Sequence, residues 1–231
     1  MTFIEPDPGA SNDHRTQEVY NRQIRAFGYL PNYAPLFSHR PDVIDLWSDL
    51  QRGLCRHVEP RLSELATFAA AVALKSSYCA LAHGVKLRDF FSDAQIMQLA
   101  AGSYGAVVDD REALAMRYAA QVAVDATSVT DAEVEALRNA GYSDAEIFDL
   151  AGIAAGRAFF SKLVEGLGAH PDTAYRELPT ALRKALTVGR EIEPICRKTR
   201  AAKQRISSRH GPPQIREVPG QASCPQIRTR N

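Results

Sequence analysis

The chain has 231 residues, 45% of them apolar, with only 14 glycines and 13 prolines, so it holds enough apolar material for one large, helix-leaning core. Net charge is +1, but residues 195–231 carry nine Lys/Arg against the single acid Glu217, a net of +8 that leaves −7 on the remainder. An acidic body lacks the basic footprint that nucleic-acid binding requires.

Residues 1–15, with Pro6, Pro8, Gly9 and Asn12, read as a flexible N-terminal arm. Gln17 to Phe27 is expected as a short helix stopped by Gly28 and Pro31, followed by an extended aromatic connection through Tyr33. Val43, Ile44, Trp47, Leu50 and Leu54 repeat at helical spacing behind Pro41, which predicts a helix over 41–57. Pro60 opens a second helix to about Leu74, rich in alanine and so open to close approach by a neighbour. Ser76 is placed as the N-cap of a helix running from Ser77 to about Phe90.

Three later starts share one signal. Ser92 with Gln95, Thr130 with Glu133, and Ser143 with Glu146 each fit a capping box. The second of these helices should end near Gly141, and the third should reach Gly166 or Gly168. Further helices are expected over Asp109–Asp125 and Leu178–Val188. No strand pattern is visible, so the fold class is all-α. The helical domain is expected over 16–190, and the basic segment 191–231 reads as a disordered tail.

Cys55, Cys79, Cys196 and Cys224 do not form a disulfide framework in a chain of this length. No apolar run approaches the roughly 18–20 residues of a membrane span. The polar, acidic N-terminus is not a secretory signal. A cytoplasmic protein with reduced thiols and no membrane partner is the expectation.

The chemistry concentrates in Ser76-Ser77-Tyr78-Cys79-Ala80-Leu81-Ala82-His83-Gly84. Cys79 and His83, four apart, share one helix face. Cys79 falls in the first turn, where unpaired N–H groups and the helix dipole favour a thiolate. His83 is a base candidate, directly or through a water. Glu64, on the preceding helix, can orient the imidazole, and Tyr78 adds a hydroxyl beside the thiol. Such a pair also arises in ordinary cores, where cysteine is a common small residue. Zinc is disfavoured because no second ligand cluster exists, and a serine-hydrolase elbow is missing around Ser76 and Ser77.

The segment from Arg61-Leu62-Ser63-Glu64-Leu65 through Cys79-Ala80-Leu81-Ala82-His83-Gly84 resembles the alkylhydroperoxidase D-like, peroxidase-related branch of the carboxymuconolactone decarboxylase family. That pattern is a glutamate followed twelve positions on by Cys-x-x-Cys-x-x-x-His. The flanks Phe27–Tyr33, Ser38–Pro41, Ser143–Phe148 and Phe159–Lys162 are also similar, so the resemblance spans roughly 20–175. It implies an all-α bundle whose central helical hairpin carries the site, assembled as a trimer or hexamer. The alanine-rich helix, Phe159 and Phe160 are then either core or subunit-facing. Glu64 and His83 match the relay residues, Cys79 the cysteine that attacks peroxide, and Tyr78 a place often held by histidine or tyrosine. Ser76 stands where the resolving cysteine belongs, so the local disulfide cycle is impossible.

The implied activity is reduction of a small hydroperoxide by a single peroxidatic cysteine, with an external thiol reductant and no cofactor or metal. Cys55 is a conceivable partner for Cys79. The alternatives are a decarboxylase-like non-redox enzyme, or a catalytically weakened thiol sensor or assembly protein.

Overall fold

In a computed structural model the described residues are 2–194. Cys196, Cys224 and nearly all of the expected basic tail lie outside them. The described residues form nine α-helices in chain order: α1 (His14–Phe27), α2 (Pro41–Cys55), α3 (Pro60–Ala73), α4 (Ser77–Leu87), α5 (Asp93–Ala100), α6 (Asp110–Asp125), α7 (Asp131–Asn139), α8 (Asp144–Gly166) and α9 (Thr180–Leu186). The described residues contain no strand, and the fold is all-α as the periodicity indicates.

The local signals act where they stand in the sequence. Pro41 and Pro60 occupy first-turn positions, where the missing N–H has no helical partner to lose. Ser92, Thr130 and Ser143 each form a complete capping box. The described residues also hold four short 3-10 helices that the sequence pattern does not indicate, the longest being Ala34–His39. It buries Leu36 and Phe37 against the α2 side of the core.

The helix α3 explains the arrangement of the rest. Residues 62–71 are buried on every side. A helix buried on every side has no solvent face, and most of this one is apolar, with Ser63, Glu64 and Thr67 as its buried polar residues. Its alanines let α4, α6 and α8 approach closely, and these are the helices it packs against. The alanine-rich surface is therefore core within one chain. Phe160 is core as well, stacked on Trp47 at 4.4 Å between ring centroids, whereas Phe159 is 46% exposed.

The turn from α3 to α4 is tight. Lys75 takes φ +54°, a left-handed conformation that a non-glycine residue adopts at some strain. Gly189 from the C-terminal segment presses on the Lys75 carbonyl so closely that a β-carbon there would overlap it. The Gly189 N–H donates to Ser77 Oγ at 2.7 Å. The segment after α9 thus straps the start of α4, and Ile192 enters the core beside Leu182 and Leu186. At the other end, the Phe3 N–H donates to the Leu167 carbonyl and the Asp7 N–H to Ser38 Oγ, so the arm before α1 lies against the body.

Candidate active site

Helix α4 begins at Ser76, whose Oγ accepts the Cys79 N–H at 3.4 Å and donates to Glu165 Oε1 at 3.0 Å. The hydroxyl therefore caps the helix and ties it to α8. Arg190 holds the other Glu165 oxygen at 3.3 Å. Cys79 follows in the first turn, only 2% exposed.

His83, one turn further on, is also 2% exposed. Its Nδ1 lies 2.6 Å from Glu64 Oε2 on α3. A carboxylate can only accept, so Nδ1 carries the proton and Nε2 is a bare acceptor. That Nε2 is buried and has no hydrogen-bond partner. Lys86 Nζ meets the second Glu64 oxygen at 3.3 Å. Burial pushes the Glu64 carboxyl up, but His83 and Lys86 outweigh it and the net shift is down, so Glu64 is an anion. Burial pushes the imidazole down. Glu64 opposes this, Arg157 and Lys86 add to it, and His83 ends below its ordinary 6.5. At neutral pH the pair is a carboxylate holding a neutral imidazole in one tautomer.

Helix α8 contributes two residues that sequence reasoning missed. Ser161 Oγ donates to Cys79 Sγ at 3.2 Å. An Arg157 guanidinium N–H lies 3.7 Å from the same sulfur. Arg157 is 3% exposed, and its guanidinium sits over the rings of Trp47 and Phe160 at 5.3 and 5.6 Å. The Trp47 indole N–H donates to the Gly156 carbonyl at 3.2 Å, fixing α8 at the turn that presents Arg157. The available signal was an arginine and a serine four apart within an otherwise apolar helix. That pattern shows a polar stripe but not what it faces.

The expected residues separate into two groups. Glu64, Cys79 and His83 come together. Tyr78 points elsewhere: its hydroxyl donates to Asp172 Oδ2 at 2.6 Å, and burial followed by the Asp172 charge raises it well above its usual range. It is a fixed donor to Asp172, not a partner of the thiol. Asp172 also accepts from the Asn32 N–H at 2.7 Å and from Tyr29, and burial lifts its carboxyl to about 6. Cys55 belongs to a different core cluster from Cys79 and accepts from Ser63 Oγ at 3.1 Å. Among the described residues, no group of three or more His, Cys, Asp or Glu side chains could hold a metal ion. None of the described helices is long and apolar enough to cross a membrane.

This architecture is shared with solved structures. A peroxidase-related protein from Ralstonia eutropha JMP134, described as an alkylhydroperoxidase AhpD core, superposes with a TM-score of 0.64 at 24% identity, over 75% of this chain and 94% of its own. A peroxidase-related protein from Silicibacter sp. TM1040 gives 0.64 at 19% identity, over 76% and 92%. The debrominase Bmp8, solved in complex with 2,3,4-tribromopyrrole, gives 0.61 at 16% identity, over 80% and 96%. No protein-family profile and no curated protein matches the sequence. The chain has the alkylhydroperoxidase AhpD-like fold.

Proposed function

We propose that the protein is a thiol-dependent hydroperoxide reductase with Cys79 as its single reacting cysteine. One observation carries this reading: a bare imidazole nitrogen stands one helical turn from a thiol sulfur that itself receives two hydrogen-bond donors. A resting core cysteine needs neither.

His83 Nε2 takes the thiol proton, through a water or through the substrate's own hydroxyl, since it makes no direct hydrogen bond to the sulfur. The thiolate attacks the terminal peroxide oxygen. The S–O bond forms, the O–O bond breaks, and the sulfur leaves as sulfenic acid. The departing alkoxide takes the proton back from His83. Glu64 stabilises the imidazolium while it exists, and it stays ionised because Lys86 shares it. The sum is thiol plus hydroperoxide giving sulfenic acid plus alcohol.

Ser76 offers no sulfur to condense with the sulfenic acid. An external thiol must do so, releasing water and leaving a mixed disulfide. A second external thiol then restores Cys79. The retained Glu64–His83 pair favours this route over a decarboxylase-like reaction, which has no use for a donor-flanked sulfur.

The test is stopped-flow consumption of hydroperoxide with a sulfenic-acid trap read by intact mass. Wild type should gain one trap molecule on Cys79, with the sulfenic oxygen lost as water, and Cys79→Ser should gain none. Equal consumption by the two proteins would sink the proposal. Turnover of some other substrate kept in Cys79→Ala but lost in His83→Ala would favour non-redox chemistry.

A further inference from the structure

The Arg157 guanidinium is 3% exposed, yet among the described residues no carboxylate is paired with it and its one hydrogen bond is to sulfur. Burying an unpaired guanidinium is costly, and structures meet that cost with an anion. The nearby acids are already committed. Glu64 is held by His83 and Lys86, Glu165 by Ser76 and Arg190, and Asp172 by Tyr78, Tyr29 and Asn32. The rings of Trp47 and Phe160 supply a cation–π contact but accept no in-plane N–H.

A second observation points the same way. The Arg157 Nε–H is enclosed and unpartnered. So is the Gln51 amide nitrogen, which lies against Gly156, the residue preceding Arg157. Two orphan donors therefore sit around one turn of α8. A guanidinium offers five donors on a planar fork, and a carboxylate takes two of them at once. The sulfur occupies one N–H and leaves that capacity unused.

We propose that Arg157 is the anion anchor of the Cys79 site, so that the substrate is a small organic hydroperoxide or peroxyacid bearing a carboxylate. This deepens the peroxidase reading and rests on Cys79 being the reacting group. The anchor holds the carboxylate while the peroxide oxygen meets the sulfur, and the proton path through His83 is unchanged.

The probes are iodoacetate and iodoacetamide, near-isosteric alkylating agents that differ in charge. Both form the same S–C bond at a thiolate and release iodide. Their rate ratio at Cys79, read by peptide mass, is therefore independent of the thiolate fraction and reports charge recognition alone. Wild type should favour iodoacetate at least fivefold more than N-acetylcysteine does. Arg157→Met should lose that preference, and Arg157→Lys should keep part of it. A ratio equal to that of N-acetylcysteine in wild type overturns the proposal, and so does a ratio unchanged in Arg157→Met.

A measurement on wild type alone guards against a variant that does not fold. Sodium acetate, at ionic strength matched with sodium chloride, should slow iodoacetamide at Cys79 at least twofold, and equal rates overturn the anchor. Neither assay contains peroxide. Anion preference without hydroperoxide consumption removes the peroxidase reading and leaves the anchor standing; consumption without preference does the reverse.

Discussion

Two helices face Cys79 with opposite electrostatics. From α3 comes an anion, Glu64, whose two oxygens are each taken by a donor from α4. From α8 comes a cation, Arg157, whose one hydrogen-bond partner among the described residues is the sulfur itself. The α3 side is satisfied and stiff: its work is to hold one imidazole in one tautomer. The α8 side is unsatisfied, and an unsatisfied buried donor is available to something that arrives. On the proposed reading, the proton machinery is built into the resting protein, whereas the recognition machinery is completed by a ligand.

The most damaging way to break this comparison is to neutralise the satisfied side. Glu64→Gln keeps an acceptor for His83 but leaves Lys86 buried beside an amide. Removing one partner of a buried pair costs about 3 kcal/mol, to be read as a shift of the urea midpoint. Loss of the carboxylate that fixes and charges the relay should also lower peroxide consumption roughly 100-fold. A variant as fast as wild type would show that the α3 side serves packing alone.

The same contrast governs what the sequence made legible. Glu64, Cys79 and His83 lie on adjacent helices joined by a three-residue turn, and i, i+4 spacing on one helix implies a shared face without further knowledge. The three capping boxes were legible for the same reason, since each is complete within four residues. Arg157 and Ser161 lie 78 and 82 positions from Cys79, and only the packing of α2 and α3 on α8 turns them toward it. Asp172 was hidden behind His170-Pro171, which marks a helix stop but not the partner 94 positions away at Tyr78. Tyr78 is next to Cys79 in sequence, but neighbours in a helix point about 100° apart, and its hydroxyl donates to Asp172.

A smaller effect separates buried His83 from buried Asp172 by pH. The His83 proton affinity is depressed in the folded state, so its contribution is present above pH 6.5 and is lost as pH falls through its lowered value. Asp172 has the opposite sign. Its folded carboxyl sits near 6 against an ordinary 3.8, so its contribution is fully present below 3.8 and is lost as pH rises through 6. The two oppose each other between pH 6.5 and 4, and wild-type stability should change little there on their account. Asp172→Asn keeps only the His83 dependence, so the gap between variant and wild type should widen by ~3 kcal/mol as pH falls across that window. Denaturant midpoints at pH 7, 5.5 and 4 measure it, and parallel curves would show that the Asp172 cluster does not titrate with folding.

The smallest expected change concerns Ser76, where the hydroxyl does structural work at a position that bears on chemistry. Ser76→Ala removes the cap of α4 and the bond to Glu165. Losing a cap costs about 1 kcal/mol, and Arg190 still holds Glu165, so thermal denaturation should show a shift of only a few degrees while peroxide consumption stays within about twofold of wild type. Ser76→Cys asks the sharper question. It gives up the same cap but adds a sulfur three residues before Cys79, on the helix end that the Gly189 strap covers. After a peroxide pulse without external thiol, the Ser76→Cys protein should lose two hydrogens in intact mass, whereas wild type gains one trap molecule as its sulfenic oxygen leaves as water. If Ser76→Cys instead takes up the trap as wild type does, then the strap over this helix end, not the missing sulfur alone, keeps it from closing a disulfide. The dependence on an external thiol would then be a property of the fold around α4 rather than of one residue.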